Sequence, residues 1–241
     1  MWLQPKFDRT VRIDDPSSVG RNGTGVPLLA GRYRRCASQH GNALLYAARL
    51  GPLDGRTRHL AELLQRWQWP DGGWNCALSA RGDTSSFMET LLPMRGLTAF
   101  ATRTKSPAAR RAALRAAEVF LGRGLFRRRS TGTVMRADFL RLHYPLYWHY
   151  DVLGGLKGLA ELGLLGDPRC REALEWLEAR ELKDGGWPAD ARFYRVSSEY
   201  RFGCEYVNWA PPRRQRRNDW VTTDALYVLR AAGRWSPPHG G

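Results

Sequence analysis

Long apolar runs are missing from this chain. No stretch approaches the eighteen or so apolar residues that a membrane-crossing helix requires, and Met1 to Pro16 mixes charge and polarity without a signal-peptide core. A cytoplasmic protein is therefore expected. Paired cysteines are missing too. Cys36, Cys76, Cys170 and Cys204 stand far apart and none forms a CxxC pair. That spacing argues against a closed structural zinc site and a disulfide framework, and for reduced thiols, mostly buried. Lysine is scarce. Of 38 basic residues only Lys6, Lys105, Lys157 and Lys183 are lysine. The net charge of +15 directs attention to anionic partners: a phosphorylated ligand, an anionic membrane surface to which the protein could attach peripherally, or nucleic acid. No nucleic-acid-binding motif accompanies the charge, so nucleic acid is not expected. An arginine bias also arises from base composition alone. The densest clusters are Arg127-Arg128-Arg129 and Arg213-Arg214-Gln215-Arg216-Arg217.

What is present is a repeat. The tetrad Asp71-Gly72-Gly73-Trp74 recurs as Asp184-Gly185-Gly186-Trp187. Pairs of large apolar residues at 63/64, 120/121 and 176/177 fall 57 and 56 residues apart, the middle pair introducing a degenerate copy that turns near Gly132. Before each turn the apolar spacing is helical, as in Leu60, Leu63, Leu64 and Trp67. Glycine is then expected to end the helix, since a left-handed cap carries no Cβ penalty. The pattern predicts first helices over 56–68, 107–124 and 168–181. It predicts second helices over 84–102, 148–163 and 219–232, with an earlier one over 38–50. The expectation is an all-α array of about three helix-pair repeats over residues 31–233, each needing its neighbours to bury its faces. An irregular arm over 1–30 precedes it and a flexible tail over 234–241 follows. A long aromatic loop over 188–218 is too aromatic for a disordered linker, and the loop is expected to fold back as a lid.

The turns and the residues before them resemble the QW repeat of squalene–hopene cyclases and related terpene cyclases, whose α/α-toroid fold protein prenyltransferase β subunits share. Leu63-Leu64, Gln68 and Gly72-Gly73-Trp74 match its second half. Arg171, Ala173, Trp176-Leu177, Glu181 and Gly185-Gly186-Trp187 match with Glu in place of Gln, and the middle copy lacks both Gln and Trp. The likeness covers roughly residues 40–232. Gly72-Gly73-Trp74-Asn75-Cys76, Ser85-Ser86-Phe87 and Trp148-His149-Tyr150-Asp151 also resemble short bacterial prenyltransferase-like proteins. In these, histidines often flank the Ser-Ser-Phe triplet, where this chain has Thr84 and Met88. The resemblance implies an α/α-toroid, incomplete at this length, open on one side or completed by a partner chain.

In that fold the second helices line a cavity, and their N-terminal ends carry unpaired N–H groups and partial positive charge. Aligning Gly96-Leu97 with Gly158-Leu159 sets Glu89 opposite Asp151. The expected proton-transfer group is Glu89, His149 and Asp151, since a carboxylate beside an imidazole suits acid–base work. Early-helix carboxylates and a helix-start histidine serve purely structural roles equally well. Tyr147, Trp148, Tyr150, Trp209 and Trp220 are the expected contacts for an apolar small molecule or lipid such as an isoprenoid, unless they fill core. The DxDD and DDxxD motifs of the resembled enzymes are absent. No cofactor is expected. An open zinc site built from Cys76, His149, Asp151 or Cys204 is conceivable, though nothing in the spacing selects it. Three readings stand: an enzyme acting on an isoprenoid or similar apolar substrate, a non-catalytic scaffold or partner-binding protein, and a basic module that binds an anion or nucleic acid.

Overall fold

The computed structural model describes residues 20–21, 26–79, 81–199, 203–209 and 211–235. The arm before Gly20, the tail after Trp235, and Tyr200 and Phe202 of the long loop lie outside the described residues. Seven α-helices and five short strands are described, so the chain is predominantly helical. It divides into two compact units, Met1–Val119 and Phe120–Gly241.

In the first unit, strands β1 (Gly20–Arg21), β2 (Pro27–Leu29) and β3 (Arg32–Tyr33) form a small antiparallel sheet in that order. Helices α1 (Ala37–Leu50), α2 (Gly55–Trp67) and α3 (Phe87–Thr104) follow, with most of α4 (Pro107–Leu121). All four helices stand where the apolar periodicity puts them. Asp54 caps α2, its carboxylate accepting from Thr57 N at 3.1 Å. Helices α1 and α3 approach backbone to backbone. A Cβ on Gly41 would stand 2.2 Å from Pro93 N, and one on Gly96 would stand 2.5 Å from Gly41 O. Only glycine allows that distance. The contact sets the beginnings of the two helices side by side.

In the second unit, α5 (Val152–Leu162) begins four residues later than the periodicity predicts, because Asp151 is its N-cap and accepts from Gly154 N at 2.7 Å. A 3-10 turn at Pro168–Cys170 leads into α6 (Arg171–Glu178). The long connection then folds locally. Strand β4 (Arg195–Val196) pairs in parallel with β5 (Cys204–Glu205). Ala191 bridges to His143 and Pro188 to Arg217, and the Tyr194 hydroxyl accepts from Trp209 N at 2.9 Å. Helix α7 (Asp219–Ala231) closes the unit, capped by Asn218.

The repeat turns are built alike. Trp74 Nε1 donates to Leu64 O at 3.0 Å, and Trp187 Nε1 donates to Leu177 O at 2.7 Å. Each acceptor lies in the last turn of its helix, where a carbonyl has no following turn to pair with. Trp74 N donates to Thr90 Oγ1 at 3.2 Å, and Trp187 N to Thr222 Oγ1 at 2.9 Å. The indoles are 113 residues apart and the threonines 132, so the second copy carries its extra length in the aromatic loop. The glycines do not end the helices as expected. Helix α2 stops at Trp67 with Gln68 extended, and α6 stops at Glu178. The glycines close a separate turn, in which Trp69 N bonds Gly73 O and Leu182 N bonds Gly186 O. Gly72 (φ 102°), Gly185 (φ 85°) and Gly186 (φ 82°) adopt left-handed geometry there, which costs glycine least.

Gln68 shows why its position matters. Its amide donates to Gly72 O at 2.6 Å and to Ala112 O of α4 at 2.8 Å, while its oxygen accepts from Arg115. Glu181, at the same place in the last copy, has no donor for such a clasp when ionised. In the middle copy, which has no tryptophan, Tyr150 packs beside the first helix. It stacks on Phe120 at 5.6 Å and donates to Leu125 O at 2.7 Å.

Trp74→Ala and Trp187→Ala are each expected to cost about 3–5 kcal/mol in denaturant unfolding, and Trp74→Phe about 1–2 kcal/mol, the share of one buried hydrogen bond. Equal stability of Trp74→Ala and wild type would show that the indole does not brace the turn.

Candidate functional site

Three groupings of chemically capable side chains are described, one in the first unit and two in the second. The first gathers Cys36, Cys76 and Glu89, whose ligand atoms all lie within 4.8 Å of one another. Cys36 is the N-cap of α1, Cys76 follows the Gly-Gly-Trp turn and Glu89 sits in the first turn of α3. Glu89 is buried; one carboxylate oxygen accepts from Ser38 N at 2.9 Å and the other from the Cys76 thiol at 3.6 Å. A hydrogen bond with Cys76 holds the Cys36 thiol below its usual range against burial and the Glu89 charge. The same bond, with burial and Glu89, pushes Cys76 up. Burial and the nearby Arg35 lower His40 to about 4, so its ring is neutral at pH 7.

The second grouping surrounds Asp151, and its partner is not the expected one. His143 Nδ1 lies 3.0 Å from Asp151 Oδ2, and His143 N donates to that oxygen at 3.1 Å. Oδ1 is taken by the helix cap. His149 lies instead in an aromatic stack, 4.1 Å from Phe193 and 4.0 Å from Trp148 between centroids, and meets His143 edge-on at 6.1 Å. Burial and the His143 charge lower its proton affinity. Burial works against a charge on His143 as well, but the Asp151 carboxylate outweighs it and raises that imidazole. His143 Nε2 is buried without a protein partner. Both His143 and Asp151 side chains are only 1% exposed, so the pair pins the segment before α5 and does not face solvent.

The shared register of Glu89 and Asp151 also changes. Asp151 is an N-cap, as Ser86 and Asn218 are, whereas Glu89 is the third residue of its helix. The Gly-Leu alignment was three residues out because α5 begins at its cap. Tyr150 is buried as core between Phe120 and Phe139. Tyr147 and Trp148 are partly exposed, and the Tyr147 hydroxyl donates to Glu205 at 2.6 Å. Burial and Glu205 raise that phenol above its usual range. Cys204 lies in β5 and joins no metal-ligand cluster among the described residues.

The third grouping is a recess of about 340 Å³ near the start of α7, lined by Trp209, Trp220, Arg213, Arg216, Arg217 and Asn218. Tyr144 stacks in parallel on Trp220 at 5.2 Å, and Trp209 stands perpendicular to Trp220 at 5.3 Å. Trp209 and Trp220 were legible as candidates in the sequence. Tyr144, Cys36 and His143 were not, since they reach their groupings through loops without periodicity.

Over 92 residues the chain is 34% identical to a squalene–hopene cyclase of Bradyrhizobium diazoefficiens, a span of 36% of this chain and 12% of that protein. No protein-family pattern and no solved structure matches. The chain is thus similar in part to a cyclase of that kind. No helix among the described residues is long and apolar enough to cross a membrane.

The His143–Asp151 pair makes a pH-dependent contribution to stability. A raised folded-state value means that the contribution is complete below the unfolded imidazole's pKa of about 6.5 and is lost as pH rises through the folded value. His143→Gln is expected to cost about 3 kcal/mol at low pH, by leaving a buried carboxylate without its partner, and less at high pH. Chemical denaturation of both proteins across the pH range checks this; a gap that widens with pH would contradict it.

Proposed function

We propose that this protein is a cyclase-like helical repeat protein that binds an isoprenoid or a similar apolar ligand. The carrying observation is the recess at the start of α7. Its aromatic members, Trp209 and Trp220, offer ring surface to an apolar chain and are held by Tyr144, which stacks on Trp220 and meets Trp209 edge-on. Its arginines, Arg213, Arg216 and Arg217, suit an anionic end such as a diphosphate. The volume stands at the lower end of ordinary ligand sites. The partial likeness to a squalene–hopene cyclase and the repeated indole-braced turns support the same reading.

Binding is favoured over chemistry. The imidazole–carboxylate pair of His143 and Asp151 is shut away from solvent, and Glu89 is committed to Ser38 N and Cys76. The DxDD and DDxxD acids are absent from the sequence.

Tryptophan fluorescence and calorimetry with farnesol and farnesyl diphosphate test this. Both are expected to bind. Trp220→Ala is expected to weaken both at least about tenfold, in line with an aromatic anchor. The double variant Arg213→Ala/Arg216→Ala is expected to weaken the diphosphate alone. Failure of either probe to bind, or affinities unaltered by Trp220→Ala, would leave the scaffold reading in its place.

A further inference from the structure

We infer that Cys36, Cys76 and Glu89 form a three-ligand site for a divalent, thiophilic cation, zinc first, with a fourth position open to water or to a ligand atom. The site lies wholly in the first unit and is independent of the ligand recess.

Geometry carries the inference. A tetrahedral zinc with Zn–S of about 2.3 Å and Zn–O of about 2.0–2.2 Å sets its ligands about 3.8 Å apart for two sulfurs and about 3.6 Å for sulfur and oxygen. Cys76 Sγ stands 3.6 Å from Glu89 Oε1, and all three ligand atoms lie within 4.8 Å of one another. Small side-chain rotations therefore bring them onto one ion. Two thiolates and a carboxylate select a borderline-soft cation over magnesium or calcium, which take oxygen ligands.

The surroundings hold these ligands in place as the outer shell of a metal site does. Glu89 keeps its second oxygen on Ser38 N, which leaves the first directed at the thiols as a single donor. Arg34 pairs with Asn75 as a β-bridge, and this sets the segment leading to Cys36 beside the one carrying Cys76. The buried Arg34 guanidinium donates to Ala77 O and Gly82 O and stacks 4.5 Å from the Trp69 ring. Asn75 shapes the Cys76 turn from within, donating to Thr84 O at 2.9 Å and accepting from Ala77 N at 2.9 Å. The glycine contact of α1 with α3 aligns the helix beginnings that bear Cys36 and Glu89. The ligands thus come from three segments braced by contacts that do not involve the ligands themselves. Binding would release the thiol protons to solvent, and three protein ligands with an open place is the arrangement of catalytic zinc sites.

Cobalt(II) and zinc(II) alone are the probes, used on the full chain under a non-thiol reductant. Cobalt is expected to bind one equivalent with the intense visible bands of tetrahedral thiolate coordination, and zinc is expected to displace it and raise the melting temperature. Cys36→Ser and Cys76→Ser are expected to abolish the bands, and Glu89→Gln to weaken binding at least about tenfold. Cys170→Ser and Cys204→Ser are expected to leave binding unchanged. Serine is a better N-cap than cysteine, so Cys36→Ser should keep its helical circular dichroism while losing the zinc-dependent rise in melting temperature. Absence of tetrahedral cobalt bands in the wild type, or bands that survive Cys36→Ser, would overturn the site. So would equal loss in Cys204→Ser, and a Cys36–Cys76 pair that stays disulfide-bonded under reduction.

Discussion

The indole hydrogen bond from each repeat turn to the helix before it is the constraint on which the rest depends. A helix that ends inside a protein leaves its last carbonyls without partners. Trp74 and Trp187 supply a donor to one such carbonyl and fill the space behind it with a large ring. The same residues offer their backbone N–H to Thr90 and Thr222. One residue thereby ties the first helix of a pair to the second, and the glycines beside it let the chain turn tightly enough to reach both. Gln68 extends the arrangement to α4 in the first unit, joining turn, neighbouring helix and Arg115.

Where the second helices start then decides the chemistry. Each begins just beyond a turn or loop segment, so its first residues stand beside whatever that segment carries. In the first unit Cys76 of the turn meets Glu89 of α3 and Cys36 at the head of α1. In the second unit Asp151 heads α5 and holds His143, while the loop before α7 brings Trp209 and its arginines to Trp220. Two thiols and a buried glutamate thus gather in one unit, and a recess lined by tryptophan and arginine side chains in the other.

Much of this was legible from the residues. Apolar spacing located all seven helices, because burying one face of a helix imposes a period that survives in the sequence. The equivalence of Trp74 and Trp187 was legible because the tetrad before them is copied intact. Register within a helix was not. Glycine-leucine matching placed Asp151 at the level of Glu89, whereas the cap places it three residues earlier, since a helix begins where a side chain satisfies its first N–H groups.

The sequence by itself determined a predominantly helical array with two tryptophan-braced turns, for those features rest on local period and local turn chemistry. Only the tertiary structure decided which partners the capable side chains take. Asp151 pairs with His143, eight residues away through an irregular segment, and not with His149 two residues away, whose ring is held in a stack with Trp148 and Phe193. Cys36 and Cys76 meet across forty residues because the Arg34–Asn75 β-bridge holds their segments together, and a glycine contact between helices brings Glu89 beside Cys36. Such contacts depend on packing distances of a few ångströms, and no spacing along the chain records them.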